Sequence, residues 1–250
     1  LIAYLGYYKR NQYDEKSGLY FWQNDIMTCI DNNPTVFCRP PRSSADIFLN
    51  CFIYLEYTAL AAILKAKGDV RADKAGAEAE KLSRAINLEM WDGRDGIYYS
   101  QDISFSRSDF SAGGVKLHSG MPPHWNSMPL KIRIWACFLP MYAGICSAER
   151  AERMCAHLTA DDTILAKYGI RTLASNEKMY CLKNSRGNPS NWLGPVSTVA
   201  NYCVYKGLEN YGKTELSREI ARRTAALMEN SLEKFGDLFE SYNPDSGEPY

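Results

Sequence analysis

Two carboxylates near opposite ends of the chain carry most of its chemical potential. The first lies in Gly18-Leu19-Tyr20-Phe21-Trp22-Gln23-Asn24-Asp25, followed by Cys29-Ile30-Asp31-Asn32-Asn33-Pro34. The second lies in Leu238-Phe239-Glu240-Ser241-Tyr242-Asn243-Pro244-Asp245-Ser246-Gly247-Glu248-Pro249-Tyr250. Asp31 and Glu240 each stand among aromatic and turn-forming residues. One carboxylic acid and one carboxylate, with aromatic faces on which sugar rings stack, are the minimum equipment for cutting a glycosidic bond. Each motif also has a plainer reading. Asp31-Asn32-Asn33-Pro34 is turn-forming by composition, and Glu240 stands just before a β-turn. Trp192-Leu193-Gly194-Pro195 reads as a helix start with Pro at an early position. Trp22 and Asp25 read as a core and a surface residue. The pair does chemistry only if the fold brings it together.

Helix signal dominates the elements that must do so, and the helices alternate between two kinds. Residues 44–67 are apolar almost all round, through Ile47, Phe48, Leu49, Phe52, Ile53, Leu60 and Leu64. A helix without a polar face is buried on all sides. Residues 71–89 follow, with Ala75, Ala79, Leu82 and Ile86 at helical spacing and Lys and Glu opposite, the pattern of a surface helix with one buried stripe. The alternation recurs: 130–143 apolar and 148–158 amphipathic, then 196–211 apolar and 215–234 amphipathic. Gly68, Gly144 and Gly212 close the apolar members, where glycine commonly stops a helix. Three inner-to-outer hairpins predict an all-α fold of two concentric layers, an α/α barrel or toroid. The repeats share no sequence motif, which argues against a regular solenoid.

Inner-to-outer turns are short, whereas the outer-to-inner connections 90–129 and 159–195 are long, and long loops in a compact domain are usually functional. All such connections leave the same end of the barrel. Asp31 precedes an inner helix and Glu240 follows an outer one; Trp125 and Trp192 lie in long connections. The topology alone therefore gathers both carboxylates and both indoles at one face.

The 29 basic residues balance the 29 acidic ones, and no basic stripe is visible, which argues against nucleic acid and anionic membrane as partners. No apolar run reaches the length expected of a membrane span. The 17 Tyr and five Trp fit either carbohydrate stacking or a core. The eight Cys form no CxxC, and His118, His124 and His157 are not at metal-ligand spacing, so neither a zinc site nor another cofactor is expected. Several Cys fall inside apolar helical runs, where a free thiol is a small buried hydrophobe; this favours a reducing compartment such as the cytoplasm. The chain opens on Leu1-Ile2-Ala3-Tyr4-Leu5, which reads as the tail of a helix, and closes within a turn. Residues 1–250 are expected to be one catalytic domain cut at both ends, a partial barrel completed by the remainder of a longer parent chain.

The order of the motifs resembles glycoside hydrolase family 63 and its relatives, the bacterial α-glucosidases and mannosylglycerate hydrolases, with the trehalases more distant. The matching stretches are the N-terminal motif, Trp192-Leu193-Gly194-Pro195-Val196, Asn201-Tyr202 with Gly207-Leu208-Glu209-Asn210-Tyr211-Gly212, and Phe239-Glu240-Ser241-Tyr242 ending in Gly247-Glu248-Pro249. Met90-Trp91-Asp92 with Gly96-Ile97-Tyr98-Tyr99, and Phe138-Leu139-Pro140 with Ala143-Gly144, add to it. The resemblance implies an (α/α)₆ barrel and an inverting hydrolase of an α-linked glucoside or mannoside. It implies Asp31 as general acid and Glu240 as general base, with Trp22, Asp25, Asn32, Trp192 and Gly194 lining the sugar pocket; Trp125, from its long connection, and Tyr242, beside Glu240, are added as candidate substrate-binding residues. Leu193 stands where the family commonly has Arg, and Ser197 where it commonly has Trp or another large residue, so the resemblance leaves the substrate open.

Two other readings compete. A polysaccharide lyase or phosphorylase on the same toroid would draw on His118 and His124 near Trp125. A carbohydrate-binding helical scaffold would tolerate replacement of both carboxylates.

Overall fold

The segments that are apolar on every turn form the inner layer. The computed structural model describes residues 1–37, 39–104, 109–119, 125–161, 163–183 and 190–250, with the backbone alone at 109, 110 and 116–119. Helix α1 spans Ile2–Asn11 and α2 spans Ile47–Ala66; α3, Ala72–Ala85, runs on into a π-helical turn at Ile86–Met90. A 3₁₀ turn at Trp135–Phe138 leads into the single-turn α4, Leu139–Tyr142. Helices α5 (Ala148–Thr159), α6 (Thr198–Asn210) and α7 (Thr214–Phe235) complete the set.

The inner members α2, α4 and α6 are neighbours in chain order, while α3 backs α2 and α7 backs α6. Each outer helix buries one stripe: Ala75, Ala79 and Leu82 on α3, Ala151, Met154 and Leu158 on α5, and Ile220 and Leu227 on α7. The inner and outer layers read from periodicity are therefore those observed. Gly207 lets α6 cross α4 closely, since a Cβ there would stand 2.9 Å from the Tyr142 amide nitrogen. Also on α6, Val199 and Tyr202 are more than half exposed.

Two expectations are corrected. Residues 130–143 do not form one helix. Leu130 and Ile132 alternate with Lys131 and Arg133, a period of two, and this stretch is irregular, with the Ile132 amide donating to Leu130 O at 2.7 Å and Ile134 bridged to Leu173. Pro140 has no N–H for a helical bond to Ala136, and the helical part shrinks to 135–142. Second, α2 is 20 residues with a mean hydropathy of 1.8, long and apolar enough by length and composition to cross a membrane. Here it packs against α1, α3 and α4, 44% of its most apolar stretch is buried, and Ile63 stays 50% exposed.

Strands are short and stitch the connections together. Ser44–Ala45, Gln101–Asp102 and Met128–Pro129 form a three-stranded antiparallel sheet at the start of α2. Val196–Ser197 pairs antiparallel with Ser241–Tyr242 at the start of α6. The inner helices α2 and α6 thus begin beside small sheets that hold the long connections down. Cys29 is exposed, Cys181 half-buried, and Cys51, Cys137, Cys146, Cys155 and Cys203 are buried free thiols; burial pushes the Cys155 and Cys203 thiols up to about 11, which keeps them unreactive. Cys38 lies outside the described residues.

Candidate active site

Asp31 sits at the tip of a turn whose backbone is left-handed on both sides, with φ +54° at Cys29 and +58° at Asn32. Asn tolerates that conformation; Cys does so at a cost. The turn is fixed from within. The Thr28 hydroxyl lies 2.8 Å from the Asp25 carbonyl and 3.0 Å from that of Ile30, and the Asn33 amide donates to Ile30 O at 3.2 Å. The Val36 and Phe37 amides donate to Asn33 O. Asn24 caps the preceding 3₁₀ turn, Asp25–Thr28, by accepting from the Met27 amide. Asp31 is exposed, and Asn32 and Asp25 are half-buried. Trp22 is only 5% exposed. Its amide donates to Ser44 O, and the Ser44 hydroxyl donates to Thr35 O, tying both motifs to the start of α2.

Glu240 immediately precedes the strand Ser241–Tyr242, and its Oε1 accepts from the Ser190 hydroxyl at 3.1 Å. Tyr242 is wholly buried. Its hydroxyl accepts from the Phe239 amide at 2.9 Å and lies 3.2 Å from the Ser231 hydroxyl on α7. In this chain Tyr242 anchors the segment that carries Glu240, and its ring is not open to a ligand.

One wall joins the two motifs, and Thr172 is its hub. The Thr172 carbonyl accepts from the Trp135 amide at 3.1 Å, its amide donates to Pro195 O at 2.9 Å, and its Oγ1 accepts from the Gly194 amide at 3.0 Å. Val196 then pairs with Tyr242 and bridges Arg171. The Trp135 and Trp192 rings lie 6.0 Å apart. Ile30, Asn33 and Pro34 from the Asp31 turn line one crevice together with Ile134, Trp135, Thr172 and Trp192. Its free volume of about 10 Å³ has room for one water and not for a sugar ring. The chain from the Asp31 turn through Trp135, Thr172 and Val196 to Ser241 is therefore continuous. Trp125, 52% exposed, lines a different cleft with Glu89, Trp91 and Gln101. His118 lies on the strand Val115–Ser119 opposite Phe110, and His124 lies outside the described residues.

Beneath the Trp192 segment, Arg171 is buried and its Nη2 reaches Asp245 Oδ1 at 3.4 Å. Burial raises the Tyr180 phenol above its ordinary value, against the pull of the Arg171 guanidinium. Gly194 has φ +138°, and a Cβ there would stand 2.4 Å from the Tyr180 ring. Gly194→Ala is expected to cost about 1–3 kcal/mol, read by urea unfolding, and to displace Trp192. A variant as stable as the wild type would remove this constraint. Sequence reasoning singled out Trp192 and Gly194 but missed Thr172 and Arg171. The run Tyr168-Gly169-Ile170-Arg171-Thr172 carries no spacing that marks a site.

Residues 5–250 match the family model for the mannosylglycerate hydrolase MGH1-like glycoside hydrolase domain. The chain belongs to this family. A Borreliella burgdorferi protein is 28% identical over 167 residues, covering 65% of this chain and 30% of that protein. Mannosylglycerate hydrolase MGH1 of Selaginella moellendorffii is 32% identical over 114 residues, 45% of this chain and 20% of the relative. The chain thus matches less than a third of the length of these relatives. A solved glycoside hydrolase family 63 mannosylglycerate hydrolase from Thermus thermophilus superposes with a TM-score of 0.63 at 19% identity, over 84% of this chain and 42% of that one. Neutral trehalase Nth1 of Saccharomyces cerevisiae superposes at 0.61 with 16% identity, over 84% of this chain and 36% of the trehalase. The fold is that of the (α/α)₆ barrel glycosidases, of which this chain forms a part.

Proposed function

We propose that this domain belongs to an inverting O-glycosidase that cleaves an α-linked mannoside or glucoside, mannosylglycerate among the candidates. Asp31 donates its proton to the leaving glycosidic oxygen as the bond to the anomeric carbon breaks. Glu240 takes a proton from a water that attacks that carbon from the opposite face. Inversion asks for carboxyl groups about 6.5–9.5 Å apart, with the water between them. The observation that most supports this reading is the continuous wall between the two motifs: the Asp31 turn shares a crevice with Trp135, Thr172 and Trp192, and hydrogen bonds run on from Trp135 through Thr172 to Gly194 and Pro195, beside the strand that pairs with Ser241–Tyr242. Trp22, Asp25, Asn32, Trp192 and Gly194 belong to the proposed surroundings of the sugar, with Tyr242 as the buried anchor of Glu240; Trp125, in its separate cleft, is left out. The one-water crevice and the exposed α6 face at Val199 and Tyr202 support a pocket closed by the remaining helices of the barrel, supplied by the rest of the parent chain. No metal or organic cofactor enters the reaction.

The test is a screen of the full-length parent on mannosylglycerate, α-glucosides, α-mannosides and trehalose, with the first-formed product anomer read by NMR. A β-anomer from an α-glycoside is the expected result. An α-anomer would mean retention, and release of an unsaturated sugar would mean a lyase.

A further inference from the structure

Asp46 is wholly buried at the N-terminus of α2. Its Oδ1 accepts from the Phe48 amide at 2.9 Å and the Leu49 amide at 3.3 Å, which caps the helix. Capping needs only one oxygen. The other, Oδ2, accepts from the Thr35 hydroxyl at 2.6 Å, the Ser100 hydroxyl at 3.1 Å and the Asn33 side-chain amide at 3.5 Å. Thr35 Oγ1 also lies 2.8 Å from Asn33 Oδ1, and its single proton goes to the carboxylate, the stronger acceptor. Asn33 and Thr35 follow Asp31 by two and four residues, and both are buried although Asp31 itself is exposed. The Asp31 turn is thus fastened to the first turn of an inner helix through one carboxylate.

We propose that Asp46 is a positioning residue for Asp31: the carboxylate oxygen not needed for the cap fixes the turn at Asn33 and Thr35 and so sets the angle at which Asp31 meets the leaving oxygen. The inference rests on Asp31 as the general acid. Asp46→Asn separates cap from tether. With its Oδ1 still facing Phe48 and Leu49 the cap survives, while its Nδ2 faces the Asn33 amide, donor against donor.

The experiment uses the full-length protein on the O-glycoside it turns over best and on the matching α-glycosyl fluoride. On the glycoside, D46N is expected to lower kcat about 10–100-fold, the scale of a misplaced catalytic group, with KM changed by less than about twofold. Fluoride leaves without a proton from an acid, so on the fluoride the loss stays within about threefold. Hydrogen exchange at the Asn33, Val36 and Phe37 amides is expected to quicken. Equal losses on both substrates, or unchanged exchange in the turn, would overturn the proposal. If the wild-type protein turns over neither substrate, the glycosidase reading falls and the positioning role falls with it. Quickened exchange would still identify the tether itself as real.

Discussion

Asp31→Asn in the full-length protein is expected to lower kcat/KM on an O-glycoside about 10²–10⁴-fold, the usual contribution of a positioned acid or base. Glu240→Gln is expected to fall in the same range of about 10²–10⁴. Both side chains are exposed in this chain, so unfolding free energies should move by no more than about 0.5 kcal/mol. The two variants should also differ from each other. An activated α-glycosyl fluoride needs no acid, so D31N keeps most of its activity on it, whereas E240Q lacks the base for water on every substrate. Near-normal turnover by either variant removes that residue from the mechanism.

Trp135→Ala is expected to be the most damaging single change to the fold. The indole is 2% exposed, lies 5.9 Å from the Phe48 ring and 6.0 Å from the Trp192 ring, and follows directly on Ile134, which bridges Leu173. Removing a buried ring of this size costs about 3–5 kcal/mol in lost transfer energy and cavity formation. In a domain of this size that is a drop of roughly 6–20 °C in Tm. Trp135 is also the shared wall of the crevice between the Asp31 turn and Trp192, so activity should fall before the protein melts. Val70→Ala, at a residue 91% exposed, is the control and should stay within about 0.5 kcal/mol. A Trp135→Ala variant with the unfolding midpoint of that control would refute the account of the wall.

Periodicity made the layers legible. Helices α2 and α6 are apolar on nearly every turn and α3, α5 and α7 on one stripe, because a helix packed by protein on several sides writes less of a polar face into the sequence than one backed on a single side. The glycines after the inner helices were legible for the same local reason: Gly68, Gly144 and Gly212 all adopt φ near +70°. The stretch 130–134 was misjudged because its apolar content was weighed without its period. Leu130, Ile132 and Ile134 alternate with charged residues, and the Ile134–Leu173 bridge shows which partner this segment takes.

Residue types and their order were readable directly: Asp31 in its turn, Trp192 and Gly194, Glu240 before Tyr242, and the helix alternation that sends the long connections to one end. Tertiary structure decided which of these residues meet. Thr172 joins Trp135 to Gly194 and Pro195 through its own backbone and hydroxyl, and Asp46 joins the Asp31 turn to α2. Neither residue stands out in the chain, because a hydrogen bond between segments depends on distance in space and leaves no period or spacing in the sequence. Tertiary structure also turned Tyr242 inward and set Trp125 in a different cleft. An aromatic side chain reads alike in sequence whether packing hides its face or leaves it open.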